Sequence, residues 1–303
     1  MKVVEHVAEL REHCESARRA GHRVGLVPTM GYFHAGHRSL MRAARAHDDF
    51  VVVTLFVNPT QFGPNEDLSA YPRDLAADVS VAIEAGVDIL FAPSVDEMDP
   101  GGPPRTKVHV AELTEGMCGA ARPTHFDGVT TVVAKLFSIV GPCRAYFGRK
   151  DYQQLAVVRR MTQDLNLPVE VVGCPLVREP DGLAMSSRNA YLTADERAVA
   201  PALFAALVDA VATVRAGERD ARAVERRVAD ALAHRREIAL EYVELRGAAS
   251  LEPLTRVDGE VVLAVAGRLG RARLIDNVVI QVVDGRVDAD LGVEVGADEV
   301  LDA

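Results

Sequence analysis

The chain has no tryptophan, and aromatic residues make up 5% of its 303 positions. That scarcity carries no functional weight. The four cysteines, Cys14, Cys118, Cys143 and Cys174, include no pair in C-x-x-C spacing. Thiols scattered in this way suit a reducing cytoplasm and small buried apolar roles. No disulfide or structural metal is needed for folding, because a chain of this length can bury a substantial core. Positive charge is short as well: 34 lysines and arginines stand against 44 aspartates and glutamates, for a net charge of −10. A protein that grips a duplex or a tRNA needs a basic face to neutralise phosphates, so nucleic acid is not an expected partner. The opening residues MKVVEHVAELREHCESARRA are charged throughout, which makes neither a secretory signal nor a membrane span. A cytoplasmic protein without membrane contact is expected. No G-x-G-x-x-G follows the first predicted strand, which argues against a dinucleotide-dependent dehydrogenase.

What is present is a globular balance of 49% apolar and 26% charged residues. Strands are predicted at 23–27, 50–57 (FVVVTLFV), 88–92, 144–147 and 169–172, with helices at 36–47, 74–85, 128–140 and 151–165. Strands alternating with helices imply βαβ units and a parallel sheet. Such sheets bind ligands beyond the carboxyl ends of their strands. The second part reads differently. A Thr193/Glu196 capping box opens a long alanine-rich helix reaching residue 215, and a second helix spans 220–235. Alternating runs at 240–245, 261–266 and 273–280 then suggest a small α+β unit. The expected fold class is α/β. A Rossmann-like parallel sheet would occupy residues 1–176, a smaller α+β C-terminal domain 177–285, and an acidic, frayed tail 286–303.

Four stretches follow predicted strand ends or the proposed domain boundary. In GLVPTMGYFHAGHRSL (25–40) a strand runs into the turn Pro28, Thr29, Met30, Gly31 and then a helix. His34 and His37 stand as H-x-G-H, nearly one helical turn apart, so both imidazoles can face one point. That point is a helix N-terminus, where free N–H groups and the dipole favour phosphate. Gly36 lets a nucleotide approach the backbone. Two solvated surface histidines are the plainer alternative. In FVNPTQFGPNEDLSAYPRDL (56–75), Asn58 and Gln61 place neutral amides at a strand's carboxyl end, in a proline-stiffened loop. By itself this reads as an ordinary surface loop. In YFGRKDYQQLAVVRRM (146–161) a strand ends at Gly148, and Lys150 and Asp151 open a helix. Lys150 offers positive charge to β- and γ-phosphates, and Asp151 can cap the helix or bind ribose hydroxyls. Gln154 follows one turn later on the face of Lys150. A lysine at a helix N-terminus opposes the dipole, and that mild conflict points to function. In VREPDGLAMSSRNAYLT (177–193), Ser186, Ser187 and Arg188 bring two hydroxyls and a guanidinium suited to oxyanions. The stretch PTHFDGVTTVVAKLF (123–137) holds His125 and Asp127, read as loop and cap residues rather than catalysts.

H-x-G-H after a first strand resembles the signature of the nucleotidylyl-transferase superfamily. VNPTQFGPNEDL, AYPRD, F-G-x-K-D and MSSR, in this order and spacing, are similar to the motifs of the pantothenate synthetase family, and MSSR resembles the K-M-S-K-S type of loop that closes on a triphosphate. The resemblance covers residues 24–192. It implies that ATP activates (R)-pantoate as an adenylate, which β-alanine then captures to give pantothenate, AMP and pyrophosphate. It further implies an ATP site of Pro28, Thr29, Met30, Gly31, His34, Gly36, His37, Gly148, Arg149, Lys150, Asp151, Val177, Met185, Ser186, Ser187 and Arg188. Of these, His34, His37, Lys150 and Arg188 are the implied catalytic residues, acting on the phosphates and the transition state. Gln61 and Gln154, with Asn58 and Tyr71 nearby, are implied for pantoate and β-alanine. Arg149 stands where the family usually has Glu or Gln, and no role of its own is assigned to it. Mg²⁺ is expected on the phosphates through ATP and water oxygens. No protein ligand for it is named, Asp78 being the one candidate considered. The family implies a homodimer through the first domain, and the second domain is expected to act as a lid hinged near Val177.

Three other readings fit part of this pattern. An aminoacyl-tRNA synthetase shares H-x-G-H, but the chain is short, acidic and without an evident RNA-binding domain. Another small-molecule nucleotidylyltransferase would leave AMP on its product. A non-enzymatic ATP-binding protein is the alternative of another class, against which the intact His34, His37, Lys150 and Arg188 argue.

Overall fold

The computed structural model describes residues 1–64 and 66–295. Its first part runs β1 (Lys2–Val4), α1 (Val7–Arg19), β2 (Val24–Thr29), α2 (Ala35–His47), β3 (Phe50–Leu55), α3 (Leu75–Glu84), β4 (Ile89–Phe91), α4 (Val95–Met98), α5 (Met117–Ala121), α6 (His125–Val140), β5 (Cys143–Gly148), α7 (Tyr152–Asp164) and β6 (Val169–Cys174). The strands form one sheet in the order β1-β4-β3-β2-β5-β6, every pairing parallel. β-Branched and leucine runs suit strands covered on both faces. Alternation sends Leu26 and Val52 to one face, under α1, α6 and α7, and Val27, Val51 and Val53 to the other, under α2 and α3. Strand β1 and helix α1 were not among the predicted elements, although Val7, Leu10, Cys14 and Ala17 recur at helical spacing in α1. Three residues are too few to show a period, and β1 is held by its ladder to β4.

The strand order reverses between β2 and β5, since the chain proceeds from β2 to β3 on one side and from β5 to β6 on the other. The ladder between β2 and β5 is short, Gly25 with Arg144 and Leu26 with Ala145, although both strands continue to Thr29 and Gly148. Beyond that ladder lies a crevice at the carboxyl ends, the place where doubly wound sheets bind their ligands.

The second part begins with β7 (Val177–Arg178) and continues through α8 (Ala194–Val199), α9 (Ala202–Arg215), α10 (Ala221–Ala233), β8 (Ile238–Gly247), β9 (Gly259–Leu269), β10 (Ala272–Val283), β11 (Arg286–Asp290) and β12 (Val293–Glu294). β8 to β11 make an antiparallel sheet in the order β11-β10-β9-β8, with α9 and α10 packed on it around Leu207, Val211, Val224, Val228, Leu263 and Val265. The Thr193/Glu196 capping box is present, but the single long helix expected after it is broken. Pro201 lacks an N–H and interrupts the ladder, so α8 and α9 form separately. Taken together, Ala194–Arg215 is long and apolar enough to cross a membrane. In this fold α9 instead buries Leu203, Leu207, Ala210 and Val211 in the core of the second part.

The frayed tail expected from residue 286 onward is corrected. β11 pairs with β10 from Val279/Asp290 to Val283/Arg286, and β12 pairs in parallel with β7. The acidic run VDAD is a poor strand former by composition, but a neighbouring strand supplies the hydrogen-bond ladder that composition does not foretell. The remainder of that segment, 296–303, lies outside the described residues.

Candidate active site

A cavity of about 220 Å³ opens at the β2/β5 crevice, and the segment 175–177 and the loop 185–188 complete its wall. At its centre is the N-terminus of α2. His34 is the N-cap, and its Nδ1 accepts a hydrogen bond from Gly36 N at 3.1 Å. His37 Nδ1 accepts from His34 N at 3.4 Å, completing a capping box made of two imidazoles, with ring centroids 4.1 Å apart. Both Nδ1 lone pairs are thus taken by backbone donors, which puts the proton of each neutral ring on Nε2. The cavity meets two N–H donors at a helix N-terminus, an arrangement suited to phosphate oxygens.

Burial pushes His34 down to about 2, helped by His37 and Lys150, and pushes His37 down to about 4. His125 is likewise lowered to about 4 by burial and by Arg122. Groups whose folded-state pKa lies below their ordinary value of 6.5 favour the fold when deprotonated. Their stabilisation is complete above pH 6.5 and is lost as the pH falls towards 4 for His37 and His125, and towards about 2 for His34, because the unfolded chain takes up the protons first. We expect the melting temperature to fall as pH is lowered through this window, and the slope to flatten in a His37→Gln variant. A slope unchanged in that variant would mean that His37 titrates normally in the folded protein.

Gln61 stands on the next wall. It belongs to a one-turn 3₁₀ segment, Pro59–Gln61, after β3, and its Nε2 donates to Met30 Sδ at 3.0 Å. Behind it, Asn58 is buried, donating to Gln61 Oε1 (3.2 Å) and Gly128 O (3.1 Å). Gly128 is required there: an alanine Cβ would meet Thr60 O at 2.5 Å and the Gln61 backbone at 2.6 Å. His125 Nδ1 is 2.9 Å from Gln61 O, so its proton is on Nδ1 and its Nε2 is an acceptor, opposite in polarity to His34 and His37. Arg122 donates to Glu66 (2.5 and 2.7 Å) and to Gln61 O (3.2 Å). Val129, Val132, Val133 and Leu136 of α6 give this end of the cavity an apolar wall.

Across the crevice, Lys150 projects from the 3₁₀ turn between β5 and α7, with Asp151 Oδ2 3.6 Å from its ammonium. Ser186 Oγ accepts from Arg188 N at 3.2 Å, and Ser187 Oγ donates to Tyr32 O at 3.4 Å, which ties the 185–188 loop to the α2 turn. The Arg188 guanidinium is engaged bidentately by Asp67 (3.0 and 3.1 Å), which also accepts from Tyr191 Oη. Burial opposes ionisation of Asp67, but Arg188 holds its carboxyl below the ordinary value.

The structure brings Pro28, Thr29, Met30, His34, Gly36, His37, Gln61, Tyr71, Gly148, Lys150, Asp151, Gln154, Val177, Met185, Ser186, Ser187 and Arg188 around one cavity. Three residues named from sequence are not on its wall. Asn58 sits behind Gln61. Gly31, at φ 86°, forms the turn beneath the histidines. Arg149 turns away to Asp290 on β11, at 2.8 Å. Asp78 is also reassigned. Its two oxygens accept from Tyr32 N (2.8 Å) and Phe33 N (2.6 Å), so it fastens the α2 turn to α3 and has no place on the cavity wall as a metal ligand. Arg122 and His125 line the cavity and were missed as site residues. The signal for them was slight: Arg122 stands just before α6 and His125 opens it, where a long loop runs into the helix.

The donor set fits a polyphosphate: two imidazole N–H groups, a lysine, two serines and a guanidinium. Among the described residues no group of three His, Cys, Asp or Glu side chains is placed to hold a metal ion.

Comparison with known proteins gives the family. The profile of the family Pantoate-beta-alanine ligase matches residues 2–279. The chain is 52% identical over 284 residues to the pantothenate synthetase of Moorella thermoacetica, covering 94% of this chain and 100% of that one. It is similar to the crystal structure of pantothenate synthetase from Thermus thermophilus, with a TM-score of 0.86 and 50% identity over 91% of this chain and 98% of the other. The pantoate-beta-alanine ligase of Francisella tularensis, solved with beta-gamma ATP and beta-alanine, aligns with a TM-score of 0.73 and 30% identity, covering 91% and 97% of the two chains.

Proposed function

The chain belongs to the pantoate-beta-alanine ligase family, and from that premise we propose that it joins pantoate to β-alanine with ATP by way of a pantoyl adenylate. The observation that carries the reading is the pair of Nε2–H donors at the N-terminus of α2, facing Lys150 across the point where the strand order reverses.

In the first step the carboxylate of pantoate attacks the α-phosphorus of ATP. A P–O bond forms as the bond to the β-phosphate oxygen breaks, and pyrophosphate leaves. No general base takes part, because a carboxylate is already ionised at neutral pH. The protein's contribution is positioning and charge stabilisation. His34 and His37 donate to the oxygens of the α-phosphorus in the pentavalent transition state, while Lys150, Ser186, Ser187 and Arg188 hold the triphosphate. Arg188 must exchange Asp67 for phosphate or share itself between them. In the second step the neutral amine of β-alanine attacks the mixed anhydride, the amide forms and AMP leaves. Gln61, Gln154 and Tyr71 orient the two small substrates, and the acceptor Nε2 of His125 suits the amine N–H. Closure of the second part about Val177 would keep water from the adenylate. Magnesium on the phosphates, assembly as a homodimer and residence in the cytoplasm belong to the same proposal.

The test is pyrophosphate release by the purified protein with ATP, Mg²⁺ and pantoate, with and without β-alanine. Steady release of AMP and pyrophosphate that requires both substrates is expected. Turnover that ignores pantoate would refute the assignment.

A further inference from the structure

Lys150 is held by the far sheet as well as by its own. Asn277, on β10 and buried, uses both hydrogens of its Nδ2 on consecutive carbonyls, Arg149 O at 3.0 Å and Lys150 O at 2.9 Å. An amide NH₂ has two donors in one plane, so this double contact fixes the orientation of the peptide from which Lys150 springs. Asn277 is itself immobilised. Its N–H bonds Asp276 Oδ1 at 2.7 Å, and its carbonyl accepts from Arg178 at 3.2 Å. Asp276 and Arg178 form a buried bidentate ion pair, at 2.7 and 2.9 Å, with the guanidinium stacked 3.6 Å over Phe204. A second tie runs from Arg149 to Asp290 on the adjacent strand β11.

We propose that Asn277 is a positioning residue for the adenylation step: it sets Lys150 in register with His34 and His37 from the antiparallel sheet. The inference rests on the reading of Lys150 as the cation for the triphosphate. That role ends when pyrophosphate leaves, so the two half-reactions separate the possibilities. A displacement of the lysine by about 1 Å is enough to cost about 10²-fold in rate.

The experiment uses the full chain carrying Asn277→Leu, Lys150→Ala, or both. It measures pantoate-dependent exchange of labelled pyrophosphate into ATP and, separately, β-alanine-dependent AMP release from supplied pantoyl adenylate. Asn277→Leu should slow exchange about 10²-fold and raise the KM for ATP, while aminolysis of the adenylate stays near the parent rate. The double variant should exchange no more slowly than Lys150→Ala alone, as expected of two changes acting through one group. Equal losses in both assays would overturn the proposal, since they mark general damage to the fold. Multiplying losses in the double variant would also overturn it. Normal exchange by Lys150→Ala would instead sink the reading of Lys150 on which it rests. If Asn277→Leu does not fold, Asn277→Ser replaces it, with a smaller loss expected in exchange alone.

Discussion

A His37→Ala variant should lose pantoate-dependent pyrophosphate release by about 10²–10³-fold, the usual effect of removing one preorganised donor to a developing oxyanion. The imidazole is placed for this by the chain around it. Its Nδ1 is satisfied by His34 N, which leaves Nε2–H as the group available to the cavity. Its neutral form is favoured by burial, so the donor is present across the neutral range without depending on protonation. The structural cost should be small. The bond lost from the capping box is long, 3.4 Å, and a whole N-cap contributes only about 1 kcal/mol. Circular dichroism and the melting temperature should therefore stay close to those of the parent. His37→Asn retains an N–H donor and should keep more activity than the alanine variant. Near-parental release by folded His37→Ala protein would remove His37 from the mechanism.

The largest loss of stability should come from Arg178→Met. Arg178 and Asp276 are both buried, and the guanidinium also donates to the carbonyls of Gly182, Asn277 and Leu291. Removing one partner leaves an uncompensated carboxylate in the interior, which costs about 3–5 kcal/mol. The denaturant midpoint of Arg178→Met should fall accordingly. Arg178→Met combined with Asp276→Leu should recover part of the loss, because an apolar pair of similar volume removes the buried charge. A single variant that loses less than about 1 kcal/mol would show that the pair behaves as an exposed one.

What could be read in advance followed from periodicity and from local motifs. The runs that became β2, β3, β5 and β6 were legible as buried strands, and H-x-G-H announced a helix start because its parts lie within four residues. Contacts made across the fold left no such mark. Asp78 reads as the one candidate cation ligand until the α2 turn is seen to bond both of its oxygens. Asn58 and Gln61 look alike on one loop, yet Gly128, distant in sequence, draws the first behind the wall and leaves the second on it. Arg188 reads as a free cation until Asp67 is found against it. The strands in 286–294 were hidden for the same reason: their composition is acidic, and their hydrogen bonds come from β10 and β7.

The pairing of β12 with β7 also bears on the order of assembly. Residues 2–174 contain every strand of the parallel sheet, including the distant pairing of Gly25 with Arg144. The stretch Leu176–Val177 on the cavity wall is backed from outside that range, by Val293 and by the contact of Arg178 with Leu291, 113 residues further on. Both the sheet centre and this wall therefore close long loops, whose entropy is lost before the contact gives anything in return. The cavity is complete only when both have closed. During refolding, competence to bind nucleotide should return no earlier than the far-ultraviolet signal, and any lag between them reports the arrival of the last described strand.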